Sequence, residues 1–179
     1  MARGRRMIWL WFLAAPVGLI VVALGVGRML PADHVASMAL DVAAPPERVW
    51  ALVADVTHTD AWRPDITGIT ERSRSPLRWT ERSSHGQTPF ELVEATPPSR
   101  QVTRVIDDGL PFGGTWTWQL EPRGGGTRLT ITEAGVIRSS LFRVMSRVAF
   151  PPTKTMDGYL RALATALGEP ATPVMLRAR

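Results

Sequence analysis

The sequence predicts an α+β domain behind one transmembrane helix: a strand, a helix pair, six short antiparallel strands, then a C-terminal helix. Three observations predict it. An uncharged apolar run fills residues 7–27, period-two patterning runs from residue 66 to residue 137, and the helical period returns after Ile137. These divide the chain into a basic flank (1–6), a spanning segment (7–27), a linker (28–34), a folded domain (35–169) and a flexible tail (170–179).

The apolar run reads MIWLWFLAAPVGLIVVALGVG. A helix of that length spans roughly 30 Å, about one hydrocarbon core. Membrane helices tolerate an internal proline such as Pro16, and Trp9 and Trp11 stand where an interfacial aromatic belt belongs. Arg3, Arg5 and Arg6 precede the run and only Arg28 closely follows it. The positive-inside rule then puts the N-terminus in the cytoplasm and the domain outside, on the cell membrane of what the Arg- and Ala-rich composition implies is a bacterium. A cleaved signal peptide is the rival reading, but the run exceeds the usual ~7–15 apolar residues and no A-x-A site follows. A core helix at this position would not be apolar all round.

In the domain, Met38, Leu40 and Val42 alternate with Ala39, Asp41 and Ala43, a half-buried strand. Pro45 and Pro46 suit a helix start, and Val49, Leu52, Val53 and Val56 form one helical face. A second helical piece is expected at 59–63. Strands follow at 66–73, 77–82, 87–94, 100–107, 114–121 and 127–137. Ser75-Pro76, residues 83–86, Pro97-Pro98, Asp108-Gly109 and the glycines at 124–126 separate them. Such close spacing implies an antiparallel meander, with Pro89 marking an edge or a bulge. Ser139 or Ser140 can cap a helix carrying Leu141, Phe142, Met145, Val148 and Ala149, which Pro151 and Pro152 end. Met156, Leu160, Leu163 and Leu167 share one face of a final helix that Gly168 closes.

Composition excludes several functions. Without cysteine there are no disulfides, thiolate nucleophiles or Cys-ligated metals. The net charge of +5 sits at the ends. Without Arg3, Arg5, Arg6, Arg177 and Arg179, the remaining basic residues balance the 16 acidic ones, so no nucleic-acid partner is expected. His34, His58 and His85 fall in a linker, a helix junction and a turn. They show no metal-ligand spacing, so neither a metal nor another cofactor is implied. No G-x-S-x-G elbow supports a nucleophilic serine, and the glycines at 124–126 join strands instead of opening a phosphate-binding helix. Residues 109–114, Gly-Leu-Pro-Phe-Gly-Gly, read as a flap over a cavity mouth or an ordinary hairpin loop.

The segment Ala44-Pro-Pro-Glu-Arg-Val-Trp-Ala-Leu-Val-Ala-Asp-Val56, continued by Ala61-Trp-Arg-Pro-Asp-Ile66, resembles the START-like (SRPBCC) superfamily, which includes polyketide cyclase-like proteins. Glu94-Ala-Thr-Pro-Pro-Ser-Arg100 and Tyr159-Leu-Arg-Ala-Leu163 add to the resemblance, which covers about residues 33–169. It implies a helix-grip fold, a curved sheet around the long C-terminal helix with an apolar cavity between them.

On that frame the cavity candidates are Trp79, Phe90, Leu92, Val102, Trp116, Trp118, Leu129 and Ile131 from the strands, and Met156, Tyr159 and Leu160 from the last helix. The inward phase also contains Glu81, Arg104 and Glu133. A buried charge needs a partner, so Arg104 is expected to pair with Glu133 or Glu81, unless these lie near strand ends and reach water. Leu141, Phe142, Arg143, Met145 and Arg147 make a basic amphipathic face suited to a lipid bilayer, or a helix packed on the domain with solvated arginines. Three functions follow: a membrane-anchored carrier or sensor of a hydrophobic small molecule or lipid, a cyclase or dehydratase using Glu81, Glu133 or Tyr159 as acid or base, or an interaction protein whose cavity is filled.

Overall fold

The computed structural model describes residues 17–84, 86–148 and 152–176. Six hairpin-connected strands, β2 (Ile66–Arg74), β3 (Leu77–Ser83), β4 (Gly86–Thr96), β5 (Arg100–Val105), β6 (Phe112–Arg123) and β7 (Gly126–Ile137), form the meander. β1 (Asp33–Val42) returns to pair antiparallel with β7, and β8 (Val174–Leu176) lies outside β1. The result is one curved eight-stranded antiparallel sheet in the order β2-β3-β4-β5-β6-β7-β1-β8.

Among the described residues four helices accompany it: α1 (residues 17–29), α2 (Pro46–Ala54), α3 (Ser140–Val148) and α4 (Pro152–Leu167). A 3₁₀ turn covers Thr59–Ala61. Ser139 caps α3 by accepting a bond from the Phe142 N–H at 3.3 Å. α4 ends at Gly168, whose φ of 77° suits a glycine C-cap. Met156, Tyr159, Leu160, Leu163 and Leu167 form a single stripe and pack on Met38, Leu40, Trp118, Leu129 and Ile131 of the sheet. Leu160, Leu163, Leu129 and Ile131 are fully buried, each contributing about 1.5–3 kcal/mol of transfer free energy. Glu169 extends the grip by accepting the Ala43 and Ala44 N–H groups at 2.6 and 2.9 Å.

Several expectations need correction. No spanning helix over 7–27 is supported. Residues 7–16, with Trp9, Trp11 and Pro16, lie outside the described residues, as do Arg3, Arg5, Arg6, His85, Ala149, Pro151, Arg177 and Arg179. The described part, α1, spans only roughly 20 Å. Among the described residues no helix is long and apolar enough to cross a membrane. The tail is not wholly frayed, because Val174, Met175 and Leu176 pair with Ala39, Met38 and Ser37. The linker ends earlier than expected, so His34 belongs to β1. Pro89 stands inside the sheet. Its carbonyl accepts from the Ile106 N–H at 3.1 Å, so its missing N–H faces the point where β5 has just ended. Residues 109–114 are not a free flap: Phe112 opens β6, and Arg138 donates to the carbonyls of Leu110 and Phe112 and to Asp108.

Candidate functional site

Residues directly opposite each other on paired strands share a face, so the ladder register defines the face that meets α4. Along it run the pairs Trp79–Phe90, Phe90–Val105, Leu92–Thr103, Thr103–Trp116 and Trp116–Glu133, and one row further Gln101–Trp118 and Trp118–Ile131. Trp118, Ile131 and, one row along, Leu129 are sealed by α4, whereas Phe90, Leu92, Phe112 and Trp116 remain half-buried. The inner face is therefore packed at one end and open along its aromatic side.

Aromatic rings converge on Tyr159. Trp62, Trp118 and Trp116 lie 5.2, 5.9 and 6.4 Å from it between ring centroids, and the Arg63 guanidinium sits 5.3 Å over its ring. Arg63 reaches Glu81 at 3.1 Å, with only 11% and 13% of the two side chains exposed. Glu81 also accepts the Trp79 indole N–H at 3.3 Å. Burial opposes the Arg63 charge, but Glu81 and Asp65 hold the guanidinium above its usual range. Burial, with Glu81 nearby, pushes the Tyr159 phenol well up despite Arg63, so it stays neutral and can donate. The Trp118 indole N–H lies close to this phenol but outside hydrogen-bonding geometry, and it has no partner among the described residues.

A second polar group lies nearer the sheet's β1 side. Glu133 Oε1 and His34 Nε2 share a hydrogen bond at 3.2 Å. Burial raises the Glu133 carboxyl above its usual range, with His34 and the Trp116 indole opposing the rise. On the outside, an open groove of about 330 Å³ runs along residues 60–64, Ala162 and Thr165. Trp62 and Arg63 thus line this groove and also pack on Tyr159. Among the described residues no three His, Asp or Glu side chains converge as a metal site requires.

The model of one protein family, described as polyketide cyclase / dehydrase and lipid transport, matches residues 33–168. The chain belongs to this family. No curated protein matches it significantly. Among solved structures, the chain is similar to a conserved protein from Geobacillus kaustophilus (TM-score 0.65, 12% identity, 78% of this chain and 99% of that one). It is also similar to the di-domain ARO/CYC StfQ of the steffimycin biosynthetic pathway (TM-score 0.59, 17% identity, 77% of this chain and 51% of that one). A third likeness is to a norcoclaurine synthase point mutant from Thalictrum, in complex with a transition state analogue (TM-score 0.62, 10% identity, 75% of this chain and 94% of that one). At these identities the likenesses establish the fold alone.

Within the folded domain, Trp79, Glu81, Phe90, Leu92, Trp116, Trp118, Leu129, Ile131 and Glu133 all lie on the inner face, opposite Met156, Tyr159 and Leu160. Arg104 and Val102 do not. Val102 pairs with Thr117 and Arg104 with Thr115, both on the opposite face. Arg104 bonds Glu91 at 2.8 Å, where Arg78 also binds, and neither Glu133 nor Glu81 is its partner. Together Arg78 first, then Arg104, hold the Glu91 carboxyl below its usual range. The inner positions of β5 are instead Gln101, whose amide donates to the Val53 carbonyl at 3.1 Å, Thr103 and Val105.

α3 divides its expected lipid face. Phe142 turns inward and stacks on Phe112 at 6.0 Å. Arg143 is spent on the carbonyls of Ile137, Arg138, Gly27 and Leu30. Leu141, Met145 and Arg147 are exposed. Sequence reading missed Trp62, Arg63 and His34; for His34, the alternation of β1 extended back from Met38 through Ala36 would have placed it inward.

Proposed function

We propose that the domain binds a hydrophobic small molecule between the inner sheet face and α4. One observation carries this reading: large apolar side chains on the inner face, Phe90 and Trp116 above all, stay half-buried beside an enclosed aromatic and ionic cluster. A face built only for packing would be sealed along its whole length, because interiors are close-packed. Aromatic walls with a few convergent polar groups are the usual make-up of small-molecule sites. Family membership, with a cyclase and a synthase among the fold's neighbours, supports the reading. Titration with the apolar fluorophore N-phenylnaphthylamine tests it. The dye gains fluorescence saturably, and Trp116→Leu weakens its binding about fivefold, the worth of one aromatic contact. Absence of saturable binding contradicts the reading.

A membrane attachment accompanies this proposal, on a separate observation. Val17, Leu19, Ile20, Val21 and Val22 of α1 are each at least half exposed although they point in successive directions around the helix. Such a surface matches lipid, and the residues that precede it in the sequence are apolar as well. Arg143 joins α3 to the end of α1 through the Gly27 carbonyl, and the exposed Leu141, Met145 and Arg147 of α3 suit the anionic interface. The full chain is expected to float with anionic phospholipid vesicles and to resist release by high salt. A chain that stays at the bottom of the gradient removes this part of the proposal.

A further inference from the structure

The open side of the inner face and the two helices that precede and follow the sheet meet at one corner of the fold. Phe112, Gly114 and Trp116 are alternate residues of β6 in unbroken register, so they share the inner face. Gly114 leaves no side chain between the two half-buried rings, whose Cα atoms stand roughly 13 Å apart along the strand. α3 covers one end of this bare stretch, because Phe142 stacks on Phe112 with ring centroids 6.0 Å apart.

The start of α3 is fixed. Arg143 donates to the carbonyls of Ile137 and Arg138 behind it and of Gly27 and Leu30 at the end of α1. A Cβ on Gly27 would run into the Ser140 carbonyl, so the two helices touch backbone to backbone there. Beyond Arg143, α3 makes no hydrogen bond to another element among the described residues, and the Ser146 hydroxyl bonds back to the Arg143 carbonyl. A helix tied at its start and held beyond it by apolar contact alone can swing about that tie. Leu141 and Met145 lie one turn apart on a side next to Phe142 and are 38% and 42% exposed. Leu141 directly follows the residue that touches α1, so this apolar side adjoins the helix read above as the membrane attachment.

We propose that α3 is a lid hinged against α1, and that the ligand is a neutral apolar molecule drawn from the bilayer. The proposal rests on both readings above, ligand binding and membrane attachment. As Leu141 and Met145 sink into lipid, Phe142 is drawn off Phe112 and the stretch at Gly114 opens toward the membrane. The ligand then reaches the inner face without crossing water. It is neutral because the charged groups of that face are already matched, Glu81 with Arg63 and Glu133 with His34, and none is left for a charged headgroup.

The probe is 1-hexylpyrene, added as a pulse to vesicles of phosphatidylglycerol and phosphatidylcholine that carry the full chain. Its hexyl group lowers its solubility in water roughly a thousandfold, so it enters the lipid first and leaves it slowly. Neighbouring pyrenes in the bilayer emit as excimers, and each molecule withdrawn into the protein is lost from that emission. The wild-type chain lowers the excimer signal to a plateau set by the amount of protein. The double variant Leu141→Gln, Met145→Gln reaches the same plateau at least about tenfold more slowly, because opening no longer transfers two apolar side chains to lipid. Phe142→Ala reaches its plateau about fivefold faster, the worth of one aromatic stack. The proposal is overturned if the double variant keeps the wild-type rate, or if it shifts the plateau and not the rate, as a purely structural role would. It is overturned too if the double variant no longer floats with the vesicles, since α3 would then be the anchor and not the lid. Hexylpyrene that stays in the vesicles while N-phenylnaphthylamine binds overturns this proposal alone. Failure of that dye to bind, or of the wild-type chain to float, strikes the corresponding reading above and this proposal with it.

Discussion

Arg63→Met lowers the unfolding free energy by about 3 kcal/mol, the scale for removing one partner of a buried ion pair. The substitution keeps an apolar stem of similar length, so packing on Trp62 and Tyr159 is largely retained. What it strands is Glu81, only 13% exposed and bonded otherwise to the Trp79 indole alone among the described residues. Glu81→Gln in the same chain restores most of the loss. It removes the stranded charge and keeps an acceptor for the Trp79 N–H, and buried pairs replaced as a unit are often near neutral. Chemical denaturation of the two single variants and the double variant measures the coupling. Additive single effects would show that the pair contributes nothing as a pair.

Gly114→Ala costs a further amount of the same order, about 3 kcal/mol, from two sources. Its φ of 132° is strained for any residue with a Cβ, at about 1–3 kcal/mol. The new methyl would also meet the Ala134 carbonyl and the Gly135 backbone on β7, which cannot withdraw without breaking the ladder. Gly158→Ala is the contrast: it lies within α4 with open space around a Cβ, and gains about 1 kcal/mol from helix propensity. Thermal melts should move in opposite directions. A Gly114→Ala chain as stable as the wild type would mean that β6 and β7 are not joined as described.

The register of β5 shows where sequence reading stops. Inward Phe90 and Leu92, continued by strict alternation through the Pro97–Pro98 turn, lead to Val102 and Arg104 as inward partners. A bulge between Leu92 and Glu94 leaves Val93 over and reverses the phase, so Glu94 pairs with Val102 on the opposite face. Nothing in the residue types announces it, because two of the residues turned inward, Gln101 and Thr103, are polar. Gln101 belongs there since α2 supplies the Val53 carbonyl for its amide, a long-range contact that no local pattern encodes. Where the strand is regular, as in β6 and β7, Trp116, Trp118, Leu129, Ile131 and Glu133 were legible from alternation alone. The Arg63–Glu81 and His34–Glu133 pairs were not, because each joins elements distant in sequence.

The indole N–H spectrum recorded during addition of N-phenylnaphthylamine tests the ligand-binding account at its centre. The account predicts that the Trp116 and Trp118 resonances move together and saturate with the dye's fluorescence, and that the Trp118 shift reports the ligand's arrival beside an unpartnered donor. Dye fluorescence that saturates while both resonances stay fixed would place the ligand elsewhere on the protein and contradict it.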